Sequence, residues 1–314
     1  MTIHNMSVAG TPPGDDLGQA PMDDETFRKL AEEARRPRHA GPALFRAGQD
    51  VTHPVPQPSV PNLPAPIPKL SSPDPARVWA SLTSVAPDPL RMEGNGLFPN
   101  PSSNPAATAF DILRTRTLLA MQDHGWRRIA VTSPTHGCGK SLVAANLALS
   151  LARRPDSRTI LLDLDLRRPG LGTLFGLRET AALRDMLMGR QTIEGQLLRV
   201  GRGLALGLNG RAETGAAEIL QSADAAECVA AMLDLLKPGA IIMDVPPALL
   251  SDDVMAALPL FDAVLLVADG TRTTAAEITS CERMFSGHLP ILGVVLNRAQ
   301  DAGLSLLRYG RGRR

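Results

Sequence analysis

The chain has 314 residues, 44% of them apolar, and a formal net charge of +1, enough apolar material for the core of one or two domains. Near-neutral charge argues against nucleic acid as an obligatory partner, and the three unpaired cysteines (Cys138, Cys228, Cys281) suit a reducing compartment and neither zinc nor disulfides. The longest apolar runs are about six residues against the roughly 20 of a membrane span, and "MTIHNMSVAG" lacks the pattern of a secretory signal, so the expected location is cytoplasmic.

Nineteen of the 27 prolines precede Phe110, in stretches such as "HPVPQPSVPNLPAPIPKLSSPDP". Proline at that density neither continues a helix nor donates to a sheet ladder, which predicts an extended, largely disordered arm over residues 1–105. Two patches interrupt it. "DDETFRKLAEEARR" places Phe27, Leu30, Ala31 and Ala34 at helical spacing behind an acidic start, and "ARVWASL" carries one of two tryptophans. Each reads either as transient local helix or as a docking motif.

From Ala106 strand-like runs alternate with helical patterns. "AATAFDILRTRTLLAMQDHG" is a predicted helix with Phe110, Leu113, Thr117 and Leu118 on one face. "RRIAVTS" is a strand, "SLVAANLALSLARR" an apolar helix ended by Pro155, "TILLDLD" a second strand and "LALGLNG" a weaker third. After the helix "AAECVAAMLDLLKPG" come the strands "AIIMDVPP", "DAVLLVAD" and "ILGVVLN". Strands apolar on both faces and alternating with helices indicate a parallel sheet covered on both sides. The expectation is a doubly wound, mostly parallel α/β domain over residues 106–300, followed by a basic tail over 301–314, with ligands at the carboxyl ends of the strands.

"SPTHGCGKS", 133 to 141, follows a strand and precedes a helix, the context of a phosphate-binding loop, although Pro134 stands where the first glycine is expected. Gly137 and Gly139 let backbone N–H groups approach phosphate oxygens, and the following helix aims its positive end at the same anion. Lys140, one of four lysines in an arginine-rich chain, is placed to reach the β- and γ-phosphates, and Ser141 to offer its hydroxyl to Mg²⁺. Thr135, His136 and Cys138 complete the loop's candidate nucleotide contacts. Asp163 and Asp165 in "ILLDLDLRRP" alternate at a strand end, so they face opposite sides unless the strand bends. "IIMDVPP" reads as a Walker B strand, with Asp244 reaching Mg²⁺ through water. Asn297, ending "VVLN", can hydrogen-bond a base edge or serve a turn. Asp252, Asp253 and Asp269 read as solvated loop carboxylates. Cys138, near a helix N-terminus, reads as a small residue that fits, with an oxidisable thiol as the alternative.

Taken together, "TSPTHGCGKS", "ILLDLDLRRP" and "IIMDVPP" resemble the bacterial tyrosine-kinase (BY-kinase) family of capsule and exopolysaccharide assembly over about residues 100 to 300. The family's loop has the form S-P-x-x-G-x-G-K-S, its second motif D-x-D-x-R-x-P and its Walker B ends D-x-P-P, so Pro134 is similar to the family's own loop. "EILQS" and "FDAVLLV" match as well. The resemblance implies a P-loop fold of the deviant-Walker type, ATP with Mg²⁺ as ligands, and phosphoryl transfer. Lys140 would stabilise the transferring group, Ser141, Asp165 and Asp244 would hold the metal, and Asp163 would be the base for an incoming hydroxyl. It also implies a membrane-embedded polysaccharide chain-length (copolymerase) protein as partner, with a homo-oligomer as a further possibility. Partition and cell-division-site ATPases are the neighbouring branch, and their loop carries a second lysine where this chain has Thr135. Three features depart from the family. Tyr309 is the chain's one tyrosine, in place of a tyrosine-rich tail. The helix before the loop reads Thr108, Asp111, Arg114 where the family has E-x-x-R-x-x-R for ring assembly. His136 and Cys138 replace the loop's frequent Pro and Glu.

Overall fold

The computed structural model describes residues 2–4, 74–100, 105–177 and 182–299. Its centre is a nine-stranded sheet in the order β1-β9-β8-β3-β7-β4-β6-β5-β2. The strands are β1 (Thr2–His4), β2 (Thr83–Val85), β3 (Arg128–Thr132), β4 (Thr159–Asp163), β5 (Leu198–Val200), β6 (Leu204–Gly207), β7 (Ala240–Asp244), β8 (Ala263–Asp269) and β9 (Ile291–Asn297). All neighbours run parallel except β1 with β9 and β5 with β6. The doubly wound sheet expected from the sequence is therefore present.

Successive residues of each central strand feed opposite cores. Ile129, Val131, Leu161, Ile242 and Leu265 pack on one face, and Ala130, Ile160, Leu162, Ile241 and Met243 on the other. The first face is covered by α3 (Pro105–His124) and α4 (Lys140–Ala152), the second chiefly by α5 (Ala223–Leu236) and α6 (Ala275–Phe285). Phe110, Leu113 and Thr117 are buried as the helical spacing predicts. Among the described residues no helix is long and apolar enough to cross a membrane.

Within the arm expected over residues 1–105, residues 74–100 form two short helices and the strand β2, which join the sheet and its two cores. Helices α1 (Pro75–Ser81) and α2 (Pro89–Gly94) each start on an Asp-Pro pair. Asp74 accepts a hydrogen bond from the Ala76 N–H and Asp88 from the Leu90 N–H, both at 3.0 Å. In each case the proline follows the capping residue, where its missing N–H has no helical partner to lose. Trp79 is buried and its indole Nε1 donates to the Arg202 carbonyl at 2.8 Å, so "ARVWASL" docks within the chain. Downstream, buried Asn146 of α4 accepts from the Phe98 N–H at 2.8 Å and donates to the Gly96 carbonyl at 3.0 Å. This segment is thereby fastened to the helix that follows the phosphate loop. The Phe27 patch and Tyr309 lie outside the described residues.

Candidate nucleotide site

β3, the strand that delivers the loop, lies between β7 and β8, so the loop emerges beside the carboxyl ends of both. Its entry is zipped to the chain beyond β7. Thr132 Oγ1 donates to the Pro246 carbonyl at 2.6 Å, Ala248 N–H to Ser133 O at 2.7 Å and Leu249 N–H to Pro134 O at 3.2 Å. Pro134 is buried and serves as an acceptor there, so a residue without an N–H fits. Gly137 and Gly139 take positive φ (79° and 89°), which lets the loop reverse before α4. The first α4 amide to find an intrachain acceptor is that of Val143, bonded to Gly139 O at 3.0 Å. Those of Gly139 to Leu142 donate to none among the described residues, the arrangement that receives an anion.

Lys140 is 8% exposed, with Nζ 2.7 Å from Asp165 Oδ2 and 3.1 Å from Asp244 Oδ1, and it donates to Ser141 Oγ at 3.4 Å. Burial opposes its charge, but attraction to Asp244 and Asp165 outweighs this and raises its pKa. Asp163 and Asp244 are register partners on adjacent strands, both fully buried. Asp163 Oδ2 accepts from the Gly170 and Leu171 N–H groups at 3.1 and 3.0 Å. Asp163 Oδ1 and Asp244 Oδ2 are buried without a hydrogen-bond partner. Burial, then the Asp244 charge, pushes the Asp163 carboxyl well above the usual carboxylate range, and burial raises Asp244 despite Lys140. Asp165 reaches the same cluster because β4 stops at Asp163 and the chain turns, with Arg168 N–H on Asp165 O at 3.0 Å. The alternation that would separate the two aspartates ends where the strand does.

Three carboxyl groups share one buried pocket with a single ammonium, more acids than Lys140 can pair. A divalent cation fits that imbalance, and the two partnerless carboxylate oxygens and the Ser141 hydroxyl are suitable oxygen donors. Among the described residues no cluster of three His, Cys, Asp or Glu side chains encloses an ion by itself. Mg²⁺ characteristically shares its shell between one or two carboxylates, water and substrate phosphates, so this donor set suits an ion that arrives with a nucleotide.

The rest of the loop is braced rather than open. Thr135 O accepts from Ser133 Oγ at 2.8 Å and from Cys138 Sγ at 3.3 Å. Cys138 is buried, whereas His136 and Gly137 form the exposed crest. Asn297 sits at the end of β9 as expected, and its Nδ2 donates to the Cys138 carbonyl at 2.9 Å, a role in the loop that the sequence did not reveal. Two of the three acids read as solvated are instead fully buried. Asp253 receives a two-point contact from Arg167 (2.7 and 2.9 Å), and Asp269 binds Arg272 and Arg298. Asp252 alone is exposed. Two hollows of about 530 and 430 Å³ lie where strands begin, lined by residues such as Arg127, Arg154 and Arg202, and neither includes the loop.

Comparison with known proteins agrees with this geometry. The family profile described as "ParA: NUBPL iron-transfer P-loop NTPase" matches residues 126–301. EpsB of Ralstonia solanacearum, which carries a tyrosine-protein kinase name, is 32% identical over 215 residues, covering 67% of this chain and 28% of EpsB. The tyrosine-protein kinase YwqD of Bacillus subtilis is 26% identical over 213 residues, 66% of this chain and 87% of YwqD. The kinase domain of the Escherichia coli tyrosine kinase ETK superposes with a TM-score of 0.58 at 26% identity, covering 65% of this chain and 80% of that one. The chain thus spans little more than a quarter of EpsB but most of YwqD.

Proposed function

Since the chain belongs to the ParA-type P-loop NTPase family, we propose that it is an ATP-binding phosphoryl-transfer protein of the bacterial tyrosine-kinase kind, acting in exopolysaccharide or capsule polymerisation or export. The observation that carries this reading is Lys140, held at 2.7 and 3.1 Å between Asp165 and Asp244, with a free oxygen of Asp163 in the same pocket. The kinase names of EpsB, YwqD and ETK support it further.

The loop amides and the α4 N-terminus bind the phosphates, and Lys140 exchanges its carboxylate partners for the β- and γ-phosphate oxygens. Ser141, Asp165 and Asp244 are the residues that would hold Mg²⁺, which supplies charge neutralisation on the transferring group. Asp163, which burial and Asp244 push towards protonation, would accept the proton of an incoming hydroxyl once positive charge at the site restores its carboxylate. The substrate hydroxyl is a tyrosine, either Tyr309 or one on another protein. The partner is a membrane-embedded chain-length protein whose cytoplasmic tail activates the domain, and the location is the cytoplasmic face of the membrane. The second reading, a positioning ATPase, draws on the family match, whereas Thr135 occupies the position of that branch's second lysine.

The test incubates wild type and Lys140→Ala with Mg²⁺-ATP, with and without the partner's tail, and reads nucleotide turnover and phosphotyrosine. Loss of one catalytic contact of this kind lowers turnover by roughly 10²-fold or more. Equal turnover in both proteins refutes the site; turnover without phosphotyrosine, on Tyr309 or on added protein, favours the positioning ATPase.

A further inference from the structure

The outward side of the phosphate loop is gripped by groups that no nucleotide-binding motif predicts. The Gly137 carbonyl accepts from Arg298 Nη1 at 2.9 Å and from Arg272 Nη2 at 3.1 Å. The Cys138 carbonyl accepts from Asn297 Nδ2 at 2.9 Å. Both guanidiniums hang from one carboxylate: Asp269 Oδ2 accepts from Arg298 Nη1 at 2.8 Å and from Arg272 Nη2 and Nε at 3.1 and 3.2 Å. Asp269 is fully buried, and its other oxygen is fixed by the Thr271 N–H (2.9 Å) and hydroxyl (2.6 Å). Arg298 adopts φ 54°, a left-handed conformation unusual for a side chain of that size, at the point where β9 ends and the chain turns towards the loop. The fit is close, because a Cβ on Gly137 would come within 2.9 Å of Arg272 Nη2.

In a planar trans peptide the carbonyl and the following N–H point in opposite directions. Fixing the Gly137 and Cys138 carbonyls towards the arginines and Asn297 therefore turns the N–H groups of Cys138 and Gly139 the other way. We propose that Asp269, Arg272 and Arg298 are positioning residues, a clamp that presets the loop amides for phosphate by holding its carbonyls from behind. This rests on the reading of the loop as a nucleotide site. The clamp differs in sign from simple electrostatics. Removing a carboxylate beside an anion site strengthens anion binding, whereas releasing the clamp weakens it.

The experiment measures binding of fluorescently labelled ADP with Mg²⁺ to the full chain as wild type, Asp269→Asn, Arg272→Ala/Arg298→Ala, the triple variant and Lys140→Ala, with thermal melts of each. Asp269→Asn and the arginine pair should each weaken binding about tenfold, the scale of losing charge-assisted hydrogen bonds. The triple variant should be no weaker than the arginine pair, because the three act as one unit. Arg272→Lys/Arg298→Lys, which keeps donors for Gly137, should recover most of the affinity. Asp269→Asn binding as tightly as wild type or tighter, or losses that add in the triple variant, overturns the clamp. If Asp269→Asn melts early, the arginine pair decides alone, since its side chains are more than half exposed: unchanged affinity there overturns the clamp. A wild type that fails to bind, or Lys140→Ala binding equally well, overturns the nucleotide reading and the clamp with it.

Discussion

Asp163 and Asp244 stand side by side on adjacent strands, and Lys140 cannot neutralise both together with Asp165. Burial first, and the neighbouring carboxylates after it, raise the pKa values of both carboxyls. A carboxyl whose folded pKa exceeds its unfolded value binds its proton more tightly in the native state. Its stabilising contribution is full below the unfolded pKa near 4 and is lost as pH rises through the raised folded value. Asp163→Asn should therefore raise the melting temperature of the metal-free protein at pH 7 by roughly 2–4 °C, the equivalent of about 1 kcal/mol. The gain should vanish near pH 4, and thermal melts across that range check it. Asp163, Asp165, Asp244 and Lys140 were legible as a group because each belongs to a short local motif. The Asp269–Arg272–Arg298 cluster was not, because Arg298 belongs to a different loop and nothing local distinguishes a buried loop acid from a solvated one.

At the level of elements, the central strands were legible because each is a short apolar run whose neighbours on both faces are also apolar. The edge strands β1 and β2, and β5 next to β2, were not, since three-residue strands carry no measurable alternation. Helices α1 and α2 were obscured for another reason. Proline density reads as a barrier to structure, yet in "SPDPARVW" and "APDPLRME" the Asp-Pro pair is a helix start. A chain beginning at Ser71 should accordingly fold with a cooperative melt, whereas one beginning at Ala106 loses Trp79, Leu82, Met92 and Leu97 from the two cores. Large core truncations cost about 2–5 kcal/mol each, so four together approach the whole stability of an ordinary domain. Melting followed by circular dichroism should show the shorter protein without a cooperative transition at 25 °C or above.

For the molecule as a whole, the excess negative charge of the site means that nucleotide and metal should bind together. Mg²⁺-ATP at about 100 times its dissociation constant adds about 2.7 kcal/mol, or roughly 5–10 °C, to the melt. ATP with a chelator should give a clearly smaller shift, because the phosphates then meet the carboxylates unshielded; equal shifts would argue against a metal in the site. The sheet carries a different consequence in its outermost strand. Thr2, Ile3 and His4 pair with Leu296, Val295 and Val294, partners separated by nearly the whole length of the chain. Translation at about 5–20 residues per second puts roughly 15 to 60 s between the emergence of the two halves of that pairing. Throughout that interval the first strand has no partner, and once β9 appears its edge is open until the two meet. The order of synthesis thus keeps this seam open until β9 has been made, and leaves it exposed to a competing strand from another chain.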